Sequence, residues 1–214
     1  MTEGTTHMKH ILRSLALPAT LAATLVLTAC GTGHTSGVNG SDTGASTKSG
    51  APASKAKNEA DVEFATMMIP HHAQAIAMAD VALKQAADPK VKALAPKIKA
   101  AQGPEVERMS GWLTGWGERV PGIAGGHDMP GMGAQTGGMM SAQEMTDLGK
   151  ATGSPFDRMW LKMMVRHHKG AVDVAKTELA QGANPESKEL AQSIVDSQSA
   201  EIAEISSILA EIPA

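Results

Sequence analysis

The chain has 214 residues and a net charge of −3, with 19 basic against 22 acidic side chains, so it has no basic excess with which to bind nucleic acid. Its only aromatic residues are Phe64, Trp112, Trp116, Phe156 and Trp160, which leaves Ala, Leu, Ile, Val and Met to fill the core and argues against a β-sandwich. Cys30 is the sole cysteine, which excludes an intrachain disulfide.

In chain order, residues 1–29 read as a signal peptide. Lys9, His10 and Arg13 precede an apolar run from Leu15 to Leu27 that is too short for a comfortable membrane span. Met8 also begins a typical basic n-region and is a second candidate start. The run ends Leu27-Thr28-Ala29-Cys30, which resembles a bacterial lipobox. That resemblance implies cleavage before Cys30, lipidation of its thiol and attachment to the outer face of the cell membrane. The plainer alternative is an ordinary secretory signal. Residues 30–57 lack apolar periodicity and read as the lipidated Cys and a flexible tether.

The folded region is expected over 58–214. Asn58 caps a first helix that runs to about Ala86, with Asp61 in its first turn. Asp88-Pro89 opens a second helix ending near Trp116, which Pro96 and Gly103-Pro104 should kink or split. Residues 117–140 form a Gly/Pro loop carrying His127, Met129, Met132, Met139 and Met140. Ser141 and Glu144 make a capping box for a short helix over 142–150. Ser154-Pro155 starts a long helix that reaches Gln181, with Gly182 as terminator. Asn184-Pro185 opens the last helix, to about Glu211. The fold class is therefore all-α: a four-helix bundle of two hairpins, with antiparallel neighbours inside each hairpin.

The two hairpins are copies of one another. Met67-Met68-x-x-His71-His72 recurs 96 residues later as Met163-Met164-x-x-His167-His168. At the same offset Asp61 matches Asp157, Phe64 matches Trp160, Gln102 matches Gln198 and Glu105 matches Glu201. On the repeated helix, Phe64, Met68, His71, Ala75, Met78 and Ala82 form one stripe. Ala65, Ile69, His72, Ile76, Ala79 and Leu83 form the next, so the core face spans both and does not distinguish His71 from His72.

Imidazoles among Ala and Leu need partners. Glu105 and Glu201, with Gln102 and Gln198, are placed to hydrogen-bond a His Nδ1 and set its tautomer. Thioether and imidazole without thiolate point to copper, above all Cu(I), or to silver. The candidate ligands are His71, His72, His167, His168, Met67, Met68, Met163 and Met164. Met78, Met109, His127, Met129 and Met132 are secondary candidates. Met is also an ordinary core filler, and Met109 reads as core first. No Glu-x-x-His pair of a di-iron bundle occurs, nor any hydrolase motif or phosphate-binding Gly loop, so neither an enzyme nor an organic cofactor is expected.

These residues resemble a known family. The runs FATMMIPHHAQAIAMA at 64–79, MMSAQEMTDL at 139–148, GSPFDRMWLKMMVRHHKGAV at 153–172, QGPEVERM at 102–109 and QSAEIAEI at 198–205 are similar to the domain of unknown function 305 family. The likeness covers about residues 58–212. It implies a ferritin-like helical fold, export from a bacterial cell and, for some members, copper binding through Met and His. Val174 in place of Met78, and Arg166 in place of Pro70, leave room for unequal copies. Two functions follow as expectations. One is a lipid-anchored copper protein that buffers, transfers or confers resistance to the metal. The other is a structural or interaction lipoprotein whose His pairs only stabilise the bundle.

Overall fold

Polar caps set the helix boundaries in this computed structural model, which describes residues 56–122 and 137–213. Helix α1 spans Glu59–Gln85, and Asn58 and Asp61 form a reciprocal capping box at its start. Helix α2 spans Pro89–Trp116, with the Asp88 side chain accepting from the amides of Lys90 and Val91. The short α3 is Ala142–Lys150, closed by the Ser141–Glu144 box. Helices α4, Gly153–Gln181, and α5, Pro185–Glu211, repeat the first hairpin. The signal segment, Cys30, the tether up to residue 55 and the loop residues His127, Met129 and Met132 lie outside the described residues. Among the described residues no helix is long and apolar enough to cross a membrane.

Two local expectations are corrected. Helix α2 is not split at Pro96 or Pro104. Each proline removes one backbone donor, but the buried row Val91, Leu94, Ala95, Ile98, Gln102, Met109 and Leu113 runs past both and holds the helix to the core. Helix α4 begins at Gly153, after Thr152, without a side-chain cap bond, rather than at Ser154. Gly182 terminates α4 as expected, in an extended conformation (φ −65°). A Cβ there would lie 2.2 Å from Glu178 Oε1, so the site needs glycine for space rather than for backbone freedom.

Helix α1 packs along α2, α4 along α5, and α1 meets α4 in a central antiparallel seam. The duplication makes this seam a local pseudo-twofold. Asp61, fully buried at the start of α1, accepts from the amides of Ala183 (3.1 Å) and Asn184 (2.8 Å) in the α4–α5 turn. Asp157 returns the arrangement, accepting from the amides of Ala87 (3.1 Å) and Asp88 (2.9 Å) in the α1–α2 turn. Each hairpin therefore satisfies the turn donors of the other, which a first-turn charge alone does not foretell.

Two apolar clusters flank the middle of the seam. One holds Phe64, Met68, Met109, Leu113, Leu190 and Ile194, and the other Trp160, Met164, Met78, Leu94, Ile98 and Ile205. The second apolar stripe of α1 does not stay inside throughout: Leu83 is 48% exposed, because the stripe has rotated off the packed face by the last turn.

Candidate metal centre

Between the two clusters, α1 and α4 place four imidazoles in the interior. His71, His72, His167 and His168 are all at most 1% exposed. The spacing of both Met-Met-x-x-His-His segments puts adjacent histidines about 100° apart on one helix. His71 and His167, related by the pseudo-twofold, meet across the seam with ring centroids 3.8 Å apart and planes inclined by 42°. His72 and His168 stand to either side, 6.5 Å from His71 and 6.3 Å from His167 respectively.

The outer pair is held by carboxylates from the neighbouring helices. His72 Nε2 lies 2.7 Å from Glu105 Oε2, and His168 Nε2 lies 2.6 Å from Glu201 Oε2. The ring atom is Nε2 and not the expected Nδ1. A partner on an adjacent helix axis 8–10 Å away is reached by the distal nitrogen, whereas Nδ1 sits close to its own backbone. With Nε2 engaged by the carboxylate, Nδ1 is the ring nitrogen left for another partner. Gln102 and Gln198 do not serve these rings. Both amide atoms of Gln102 and the Gln198 oxygen are buried without a partner among the described residues.

The inner pair is held differently. His71 Nε2 faces the Gly137 carbonyl at 3.4 Å, while among the described residues neither nitrogen of His167 has a partner in full hydrogen-bonding geometry. Burial, reinforced by the neighbouring His72 and His168, pushes His71 down to about 3 against the carbonyl's opposing effect. Burial and then His71 and the other two rings push His167 well below the ordinary histidine value. Both inner rings are therefore neutral at physiological pH, with lone pairs to offer.

The Gly137 carbonyl belongs to a strap, residues 137–140, that crosses the seam over this pair. Gln74 of α1 clamps its far end: Nε2 donates to the Met140 carbonyl (2.8 Å) and Oε1 accepts from the Met140 amide (2.7 Å). The residue of α4 equivalent to Gln74 is Gly170, where a Cβ would lie 1.6 Å from the Gly137 oxygen. Gly138 has φ 89°, and a Cβ there would meet the Arg166 carbonyl at 2.4 Å. The strap thus requires glycine on both sides of its contact with α4.

The methionines separate. Met67 lines a groove beside the strap, and Met163 packs in the cluster beneath α3. Met68 and Met109 are fully buried in one apolar cluster, Met164 and Met78 in the other. Among the described residues no three His, Cys, Asp or Glu side chains converge as a metal-binding group. Yet five imidazole nitrogens are buried without a partner: His71 Nδ1, His72 Nδ1, His168 Nδ1 and both nitrogens of His167. Unmade bonds on that scale cost about 1–3 kcal/mol per group, so the centre is chemically suited to a soft cation that accepts those lone pairs.

Two features of the site escaped sequence reasoning, the strap clamp and the buried Glu178. Both fall where the copies differ: Gln74 against Gly170, and Ala82 against Glu178. Those mismatches were the available signal.

The model of the domain of unknown function family DUF305 matches residues 61–209. The chain belongs to the DUF305 family. Among solved structures, a DUF305 protein from Streptomyces coelicolor is 32% identical, with 71% of this chain and 91% of that chain covered at a TM-score of 0.64. A DUF305 fragment from Deinococcus radiodurans is 31% identical, covering 72% and 97% at a TM-score of 0.63. CopM in its Cu(II)-bound form is 35% identical, covering 70% and 95% at a TM-score of 0.59. CopM structures in Cu(I)-bound and silver-bound forms also match. No curated protein matches the chain. The DUF305 match and the described helices agree on a bundle of two tandem hairpins.

Proposed function

We propose that this DUF305 protein binds copper outside the cytoplasm, through its four seam imidazoles, and buffers or hands on the metal rather than catalysing a reaction. The observation that carries the reading is the set of five buried imidazole nitrogens at the α1–α4 seam that have no partner among the described residues. The copper-bound and silver-bound CopM structures, at 31–35% identity, support it. His71 and His167 are the central ligands, with His72 and His168 oriented by Glu105 and Glu201. Met67 is the thioether nearest in kind to a donor, since it borders the strap rather than an apolar cluster. The lipobox-like segment ending at Cys30 supports export and a lipid anchor, which would hold the metal-binding domain at the membrane surface.

The test is an anaerobic Cu(I) titration against a competing chelator, with thermal unfolding in parallel. Copper at about 100 times its dissociation constant adds ~2.7 kcal/mol to the folded state. For a chain of this size that raises Tm by roughly 5–10 °C. The double variant His71→Ala/His167→Ala, shown folded by circular dichroism, should lose tight binding. Full affinity in that variant would sink the ligand assignment.

A second reading is favoured by the two His–Glu bonds at 2.7 and 2.6 Å, which serve the outer rings without a metal. In it the imidazoles are only structural, and Tm is unchanged by copper.

A further inference from the structure

The pseudo-twofold divides the outer face of the α1–α4 seam into two equivalent halves, and among the described residues only one is covered. Over the C-terminal half of α1 and the N-terminal half of α4 lies α3. Its Met145 and Leu148, with Met140 of the strap and Ala151, pack against Met78, Phe156, Trp160 and Met163. Gln85 Nε2 donates to the Gly149 carbonyl (2.8 Å), and Arg166 bonds Glu144, so both long helices grip α3.

The other half is an open groove of about 380 Å³, lined by α1, α4 and Gly137. Its apolar floor is Phe64, Met67 and Val174, the counterparts of Trp160, Met163 and Met78. Its polar residues differ in kind from those of the covered half. Glu63, Asp173 and Glu178 stand where the covered half has Met159, Ala77 and Ala82. Glu63 and Asp173 are exposed on opposite walls, one on each helix. Glu178 is only 1% exposed. It sits against Asp61, to whose carboxylate its protonated side chain is placed to donate.

We propose that this groove docks a short, cationic amphipathic helix of a partner protein. The molecule itself supplies the template, because α3 shows that an apolar helical face fits the twin half of the seam. The two exposed carboxylates, Glu63 and Asp173, then dictate the charge of the occupant, with Lys or Arg flanking the apolar face. A small organic cation would meet the carboxyls but leave the length of the apolar floor uncovered. The Gly137 carbonyl, which holds His71, lines the same groove, so the docked helix lies next to the imidazole pair.

The probe is a synthetic peptide with the sequence of residues 139–152 carrying Glu144→Lys and Asp147→Lys, against the unmodified parent peptide. Fluorescence anisotropy is measured on the full metal-free chain. The lysine peptide is expected to bind at least about tenfold more tightly than the parent. The exposed pair Glu63→Lys/Asp173→Lys is expected to reduce that binding by about tenfold or more while leaving the copper titration unchanged. Val174→Trp, which occupies the floor, is expected to weaken it as well. Failure of both peptides to bind overturns the proposal. So does binding that survives Val174→Trp intact, which would mark it as general charge attraction, or competition by a simple alkylammonium ion with equal strength.

Discussion

The two hairpins share a sequence pattern and yet perform different jobs at the seam. Where the copies agree, the structure is twofold: Asp61 and Asp157 each bind the opposite turn, and Glu105 and Glu201 each hold one outer imidazole. Where they disagree, the structure is directional. Gln74 clamps the strap while Gly170 makes room for it, so His71 has a carbonyl partner and, among the described residues, His167 has none. Ala82 lies under a covered apolar surface, while Glu178 lines an open groove. Matched positions build the bundle, and a handful of mismatched positions give it a front and a back.

The largest expected effect tests the agreement. Asp61→Ala and Asp157→Ala each remove the acceptor of two turn amides in the opposite hairpin, for a loss on the order of 3 kcal/mol in urea unfolding. The two losses should agree within about 1 kcal/mol. A negligible cost at Asp157 would show that the lock works from one side only.

The next effect tests the disagreement at the strap. Gly170→Ala places a methyl on the Gly137 carbonyl, and overpacking of that kind costs roughly 1–3 kcal/mol. Hydrogen exchange at the Met140 amide should accelerate as the Gln74 clamp gives way. Unchanged exchange would mean that the strap is held elsewhere.

The smallest effect concerns pH. Burial first, and then the neighbouring Asp61, pushes Glu178 up to about 8 from an ordinary 4.5. Between those values the folded state holds a proton that the unfolded state has released, so this group's contribution to stability declines as pH rises through that window. Asp61 runs the other way. Burial opposes its charge, but the amides of Asn58 and Asn184, Glu178 and the Ala183 amide outweigh burial and hold it low. Its contribution is lost only as pH falls below the ordinary carboxylate range. Glu178→Gln should therefore flatten the decline between about pH 4.5 and 8 in a series of unfolding curves. An identical slope in wild type and variant would remove Glu178 as its source.

The sequence by itself determined the helices and their pairing. Capping residues at Asn58, Asp88, Ser141 and Asn184 act within a turn, so the chain shows them directly. The 96-residue repeat announced two like hairpins, and its duplicated His pairs announced a polar centre inside an apolar bundle. Tertiary structure decided which of these side chains meet. Adjacent histidines lie on one broad apolar face, and only the antiparallel register of α1 against α4 selects His71 and His167 as the contacting pair. The same register sent Met68 and Met164 into opposite apolar clusters, although in sequence they sit beside the histidines just as Met67 and Met163 do. Long-range contacts also chose Nε2 over Nδ1, kept α2 whole across two prolines, and gave Asp61 and Asp157 their partners in the opposite hairpins. Periodicity reports which face of a helix is apolar; it carries no record of what is packed against that face.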